Sequence, residues 1–132
     1  HVLSKKALLQ PQDFHQTRFI SLSANDSYRQ LIDAMFIKQG ITRQLIMETQ
    51  SAASICAMVS KGIGVSIVNP ITALDYQYSD LCIRPLSFTI PFTVSLITPS
   101  HRPSSQLVRY FIDVMKTTLA NYPKQLTHAF TR

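Results

Sequence analysis

Short β-branched runs alternate along this chain with longer stretches whose apolar residues recur every three or four positions. That alternation predicts an α/β layer fold with a mostly parallel sheet. The segment Glu48 to Tyr76, ETQSAASICAMVSKGIGVSIVNPITALDY, carries its clearest form. Ala52, Ile55, Cys56 and Val59 fall at helical spacing, and Gly62 can take the left-handed conformation that ends a helix. Val65-Ser66-Ile67-Val68 then reads as a short strand stopped by the turn signal Asn69-Pro70. With a strand before it, the segment is a β-α-β unit. The chain has 132 residues, 45% hydrophobic and 15% charged, which suits one domain, or one lobe and part of another. There is apolar material for a core and too little charge for disorder.

The elements follow in order. His1 to Leu9 is mildly basic and reads as extended chain. Leu8 to Phe14 (LLQPQDF) reads as a loop and a short helical turn that docks Phe14. Arg18 to Leu22 alternates weakly and predicts a strand, after which Ser23-Ala24-Asn25-Asp26 supplies turn and N-cap chemistry. From Ser27, the spacing of Leu31, Ile32, Met35 and Phe36 predicts an amphipathic helix ending near Gly40. Arg43 to Met47 is the next strand, and Thr49, Gln50 and Ser51 begin the helix after it. Pro70 to Leu74 reads as a short helix with Pro in its first turn. Leu81 to Pro85 predicts a strand carrying Cys82, and Phe92 to Thr98 a longer one between Pro91 and Pro99. Ser104 or Ser105 caps a last helix whose apolar stripe is Leu107, Val108, Phe111, Ile112 and Met115. No internal repeat or low-complexity segment is visible.

Composition excludes several function classes. The net charge is +6, but the thirteen Lys and Arg residues are spread from Lys5 to Arg132, and only Lys5-Lys6 are adjacent. Without a basic helix or an aromatic-basic platform, this is a solvated surface rather than a nucleic-acid interface. Cys56 and Cys82 are too few for a metal site and read as packed, reduced thiols of a cytosolic protein. His1, His15, His101 and His128 are far apart, and no HExxH, GxSxG or phosphate-cradling glycine loop is present. The reading is therefore binding without catalysis and without a cofactor. No apolar run approaches the roughly 20 residues of a membrane helix, and no leader-peptide pattern appears.

In a β-α-β unit, ligands sit at strand ends where helices begin. Unpaired N–H groups at a helix start suit a carboxylate. Ser21, Ser23 and Ser27 flank the first such junction, with Asn25 and Asp26. Asp26 reads as the N-cap, or as a partner for a ligand ammonium group. At the second junction Glu48 can pair with a ligand ammonium or a nearby Arg. Thr49, Gln50 and Ser51 follow as the stronger candidates, although Ser51 can serve as a cap alone. Asn69 either holds the turn before Pro70 or reaches the ligand, and the turn role fits it better.

The run SAASICAMVSKGIGVSIVNPITALDY, with ISLSANDSYRQLIDAMF before it and PFTVSLITPSHRPSS after it, resembles the effector-binding domain of LysR-type transcriptional regulators. The resemblance runs from His1 to about Ser105 and thins after Val108. The words SLS..DSYRQL, VNP.TALDY and HRPSS are most similar to lysine-pathway regulators and their opine-sensing relatives. Val2 stands where the family usually has Pro after His, and Gln50 occupies the variable position of ETxSA. The resemblance implies a type II periplasmic-binding-protein-like architecture, two lobes around a cleft. Residues 1–91 would form the second lobe, and 92–132 the return strand and final helix that pack on the first. A first residue other than Met fits a piece of a longer chain, whose winged helix-turn-helix would contact DNA. The implied partners are a small-molecule effector, diaminopimelate or lysine, and further copies in a cytoplasmic homo-oligomer, with no membrane. A diamino dicarboxylic ligand would match helix starts and an acid. Rival readings are an opine or other amino-acid sensor of the same family, and a solute-binding transport protein of similar architecture.

Overall fold

The structure is a computed structural model that describes residues 1–76, 80–101 and 103–125. Strand β1 (Arg18–Leu22), helix α1 (Ser27–Lys38) and strand β2 (Gln44–Thr49) form a parallel β-α-β unit. Arg18 lies opposite Gln44 and Leu22 opposite Thr49, with one extra residue, Ile46, bulged into β2. Helix α2 (Ala52–Ser60) follows, then α3 (Pro70–Asp75) and α4 (Gln106–Ala120). On the other edge of β1, Val65 N–H donates to Arg18 O and Ile20 N–H to Val65 O, both at 2.9 Å. The chain must pass close to β1 to make this bridge. Gly64 permits it, because a Cβ there would lie 2.7 Å from the Arg18 carbonyl oxygen.

The central position of β1 explains its apolar sequence, because a parallel strand is covered on both faces. Phe19 packs toward α1 with Phe14, Ile32, Phe36 and Ile67. Ile20 and Leu22 pack on the opposite face with Ile55, Val59 and Val68. Phe14, held by the turn Pro11–Phe14, sits with its ring 6.1 Å from Phe19 and 5.6 Å from Phe36. Truncation of such a buried ring costs about 3–5 kcal/mol. Gly40 and Gly62 end α1 and α2 in the left-handed region, with φ +65 and +73.

Several expectations need correction. Residues Val2–Lys5 form a 3-10 turn rather than extended chain, with His1 accepting from Leu3 N–H. The β2 strand runs to Thr49, so Thr49 and Gln50 precede the helix and α2 begins after Ser51. The run 65–68 contributes a single bridge at Val65. The run 81–85 is not a strand; its end pairs locally, with Leu9 N–H donating to Pro85 O at 2.9 Å. Nor is 92–98, where every residue is exposed and Ile97 is 91% exposed. β-branched residues favour extended backbone, but a strand needs a neighbour to hydrogen-bond. Cys82 is consequently exposed, while Cys56 is buried as expected. On α1, Leu31 turns outward and Arg29 takes a buried place. Ser105 caps α4, but the helix has no buried residue. His128 and the end of the 92–132 segment lie outside the described residues.

Candidate functional site

Both strands of the small sheet end on one edge. β1 ends at Leu22 and β2 at Thr49, with Ser23 N–H extending the ladder to Thr49 O at 3.0 Å. A third segment meets β1 at the single Phe19–Val65 bridge and reaches Asn69 four residues later. Each segment then turns into a helix through a capping side chain. Asp26 accepts from Arg29 N–H at 2.9 Å, Ser51 from Ser54 N–H at 3.2 Å, and Asn69 from Thr72 N–H at 2.9 Å. The N-termini of α1 and α2, each with partial positive charge, therefore follow where the two strands stop.

The structure separates the candidate residues by what already occupies them. Ser21 is 2% exposed and lies in the ladder opposite Glu48, below the edge rather than at it. Ser23 is half-buried, its backbone is engaged, and its hydroxyl has no hydrogen-bond partner among the described residues. Asp26 and Ser51 act as N-caps, and Asn69 both caps α3 and donates from Nδ2 to Thr72 Oγ1 at 3.0 Å. The turn role expected for Asn69 thus has its physical basis. Thr49 Oγ1 accepts from Ser51 N–H at 3.3 Å. Gln50 is exposed between strand and cap, with its amide unengaged among the described residues. Glu48, 43% exposed, pairs through Oε1 with Arg29 Nη1 at 2.6 Å. Ser23, Thr49, Gln50 and Ser51 are the residues brought to the edge, and Asn69 is engaged in its own turn. Glu48 flanks it.

Arg29 is the buried charged residue beside the edge that pattern reading missed. It is 6% exposed, yet its Nη1 donates to Leu22 O at 2.6 Å as well as to Glu48, and its Nε donates to Asp33 Oδ2 at 2.7 Å. Asp33 also pairs with Arg43 through its other oxygen. The Arg43 guanidinium lies 4.9 Å from the Phe19 ring centroid and 5.2 Å from that of Phe36. Burial works against the charge on Arg29, but hydrogen bonds to Glu48 and Asp33, aided by their negative charges, outweigh it and raise its pKa. A signal was present in DSYRQLID: Arg29 sits three residues before Ile32 and seven before Phe36, on the buried stripe, with Asp33 one turn on. A charge on such a stripe requires a partner.

A cavity of about 1020 Å³ is lined by Ile55, Val59, Ile67, Leu86 and Ile90 among others and reaches Tyr28, Val68 and Pro70, but is lined by none of the eight candidate residues. Arg84 on its wall is occupied, donating from Nε and Nη2 to Ser4 O at 3.1 and 2.9 Å. Uncommitted polar groups at the edge are Ser23, Gln50 and one oxygen of Glu48; on the cavity wall Asp80 and Thr89 likewise have no side-chain hydrogen bond among the described residues. Among the described residues no three His, Cys, Asp or Glu side chains cluster as metal ligands.

Residues 1–120 match the LysR substrate binding domain. The chain is 52% identical over 127 residues to the transcriptional activator protein LysR of Escherichia coli (strain K12), covering 96% of this chain and 40% of that protein. It is 28% identical over 123 residues to the regulatory protein NocR of Agrobacterium tumefaciens (strain T37), covering 93% and 41%. A probable RuBisCO transcriptional regulator of Cyanophora paradoxa is 30% identical over 123 residues, covering 89% and 38%. The chain spans about two fifths of the length of these relatives.

Proposed function

Because the chain belongs to the LysR substrate-binding domain family, we propose that it is the effector-sensing part of a bacterial transcriptional activator of lysine biosynthesis. Membership implies a periplasmic-binding-protein-like α/β fold, and the described helices and small parallel sheet are consistent with it. The effector is diaminopimelate or lysine, held where the strands end. The observation that carries this reading is the 52% identity to the Escherichia coli activator across nearly the whole chain. The chemistry of the edge supports it: helix N-termini suit carboxylates, and Glu48 suits an ammonium group. Ser23, Thr49, Gln50 and Ser51 contact the ligand, while Ser21, Asp26 and Asn69 shape the edge beneath and beside it.

The two-lobe division belongs to the same proposal. Residues 1–91 form the second lobe, and 92–132 return to a first lobe supplied by more of the protein. The exposed run 92–98 and the unburied α4 support this, since both present apolar side chains to solvent. The effector acts by binding one lobe arrangement better than another, and so shifts a cytoplasmic homo-oligomer on DNA. DNA contact belongs to a separate domain of that regulator. Among the described residues no helix is long and apolar enough to cross a membrane.

A different ligand within the family, such as an opine or another amino acid, is the second reading. It is favoured by relatives as varied as NocR and RuBisCO regulators matching over similar spans. A thermal-shift screen of lysine, diaminopimelate isomers and opines on the longer effector domain separates the two. Stabilisation by opines alone refutes the lysine-pathway assignment.

A further inference from the structure

Resting on the reading that the strand-end edge binds a diamino metabolite, we propose that Arg29 is a positioning residue that aims the free oxygen of Glu48 at the ligand's second ammonium group. Arg29 Nη1 touches both strand ends at once, the Leu22 carbonyl of β1 and the Glu48 carboxylate of β2, each at 2.6 Å. Its Nε is fixed by Asp33, so the guanidinium plane cannot rotate without breaking a second bond. Glu48 is held by Oε1 alone. Its Oε2 has no partner among the described residues, on a side chain 43% exposed beside Thr49 and Gln50. A carboxylate with one oxygen anchored loses little further freedom when the other oxygen accepts a cation.

The paired side chains balance, Arg29 and Arg43 against Asp33 and Glu48, so the open valence of the network is the unpaired oxygen of Glu48 and not a net charge. Lys at position 29 would keep the charge, but a single ammonium nitrogen cannot reproduce the two-nitrogen fork that spans Leu22, Glu48 and Asp33. Gln at position 48 would still accept from Arg29 while losing the anion.

The test uses the full-length regulator with paired probes, calorimetry of L-lysine against norleucine and of meso-diaminopimelate against 2-aminopimelate. Each pair differs in the second amine. Glu48→Gln and Arg29→Lys should each weaken the diamino probes by about 10- to 100-fold and leave the monoamino probes unchanged. The double variant should be no worse than Glu48→Gln alone, because both changes remove one interaction. Unaltered diamino affinity in Glu48→Gln overturns the proposal while leaving the ligand-edge reading in place. Equal weakening of both members of each pair by Arg29→Lys makes Arg29 purely structural and also overturns it. A wild-type protein that binds none of the probes removes the ligand-edge reading, and this inference with it.

Discussion

Asp33→Ala should be among the most destabilising single polar changes in this domain. Asp33 is the only carboxylate shared by Arg29 and Arg43 among the described residues, and those side chains are 8% and 10% exposed. Truncating it leaves two nearly buried guanidinium groups short of a partner. A hydrogen bond to a charged group contributes about 1.5–3 kcal/mol, so two give a gross loss of about 3–6 kcal/mol. Asp33 itself is 33% exposed, so water can enter the gap and recover part of that. A net loss of about 2–4 kcal/mol is expected, close to what breaking a buried pair costs. Arg43 is the more vulnerable partner, because its Nε is already buried without a hydrogen bond. Urea unfolding followed by circular dichroism measures this directly, and urea avoids the ionic screening that guanidinium chloride would add. Lys6→Ala is the control: Lys6 is 47% exposed and Asp13 keeps its bond from Gln10 N–H, so the cost should be about 1 kcal/mol or less. If Asp33→Ala costs no more than Lys6→Ala, the arginines are hydrated in solution and the buried network is not a structural element.

Ser51→Ala should lose about 1 kcal/mol from the α2 cap and weaken the effector response of the full regulator, whereas Gln50→Ala should change ligand preference with stability intact. An unchanged dose–response in Ser51→Ala assigns that residue to capping alone. The two thiols should react in sequence with a disulfide reagent near pH 8, Cys82 at once and Cys56 only on unfolding, because burial removes access to Cys56 and raises its pKa. Simultaneous reaction of both would contradict the packing of α2. Asp13 has its pKa held below the ordinary 3.8 by the Lys6 hydrogen bond and then by Gln10 N–H. Its contribution to stability is complete above 3.8 and disappears as pH falls through the lowered folded value, so Asp13→Asn should flatten the acid limb of the unfolding curve. The chain alone should self-associate through Leu107, Val108 and Phe111, which are 76%, 42% and 61% exposed, since burying apolar surface yields roughly 25 cal/mol per Å². Sedimentation of the Val108→Glu, Ile112→Lys variant checks this, and a monomeric parent at high concentration refutes it.

Local chemistry made much of this fold readable. Gly40 and Gly62 mark helix ends because they take positive φ, and Asp26, Ser51 and Asn69 mark helix starts because each side chain accepts its own helix's N–H. Such features depend on neighbours a few residues away, which a single sequence contains. Features that depend on distant partners were misread. The runs 81–85 and 92–98 have strand composition without a strand, because pairing is decided by a neighbour elsewhere and composition carries no record of it. Arg29 was missed for the same reason. Its burial is tolerable only because Leu22, seven residues before it, and Glu48, nineteen after it, meet at one nitrogen. The candidate site was legible where it coincides with caps and illegible where it is a junction between strands. An edge defined by two strand ends is therefore best tested through the residue that joins them. That residue is Arg29, whose two 2.6 Å contacts tie Leu22 of β1 to Glu48 of β2.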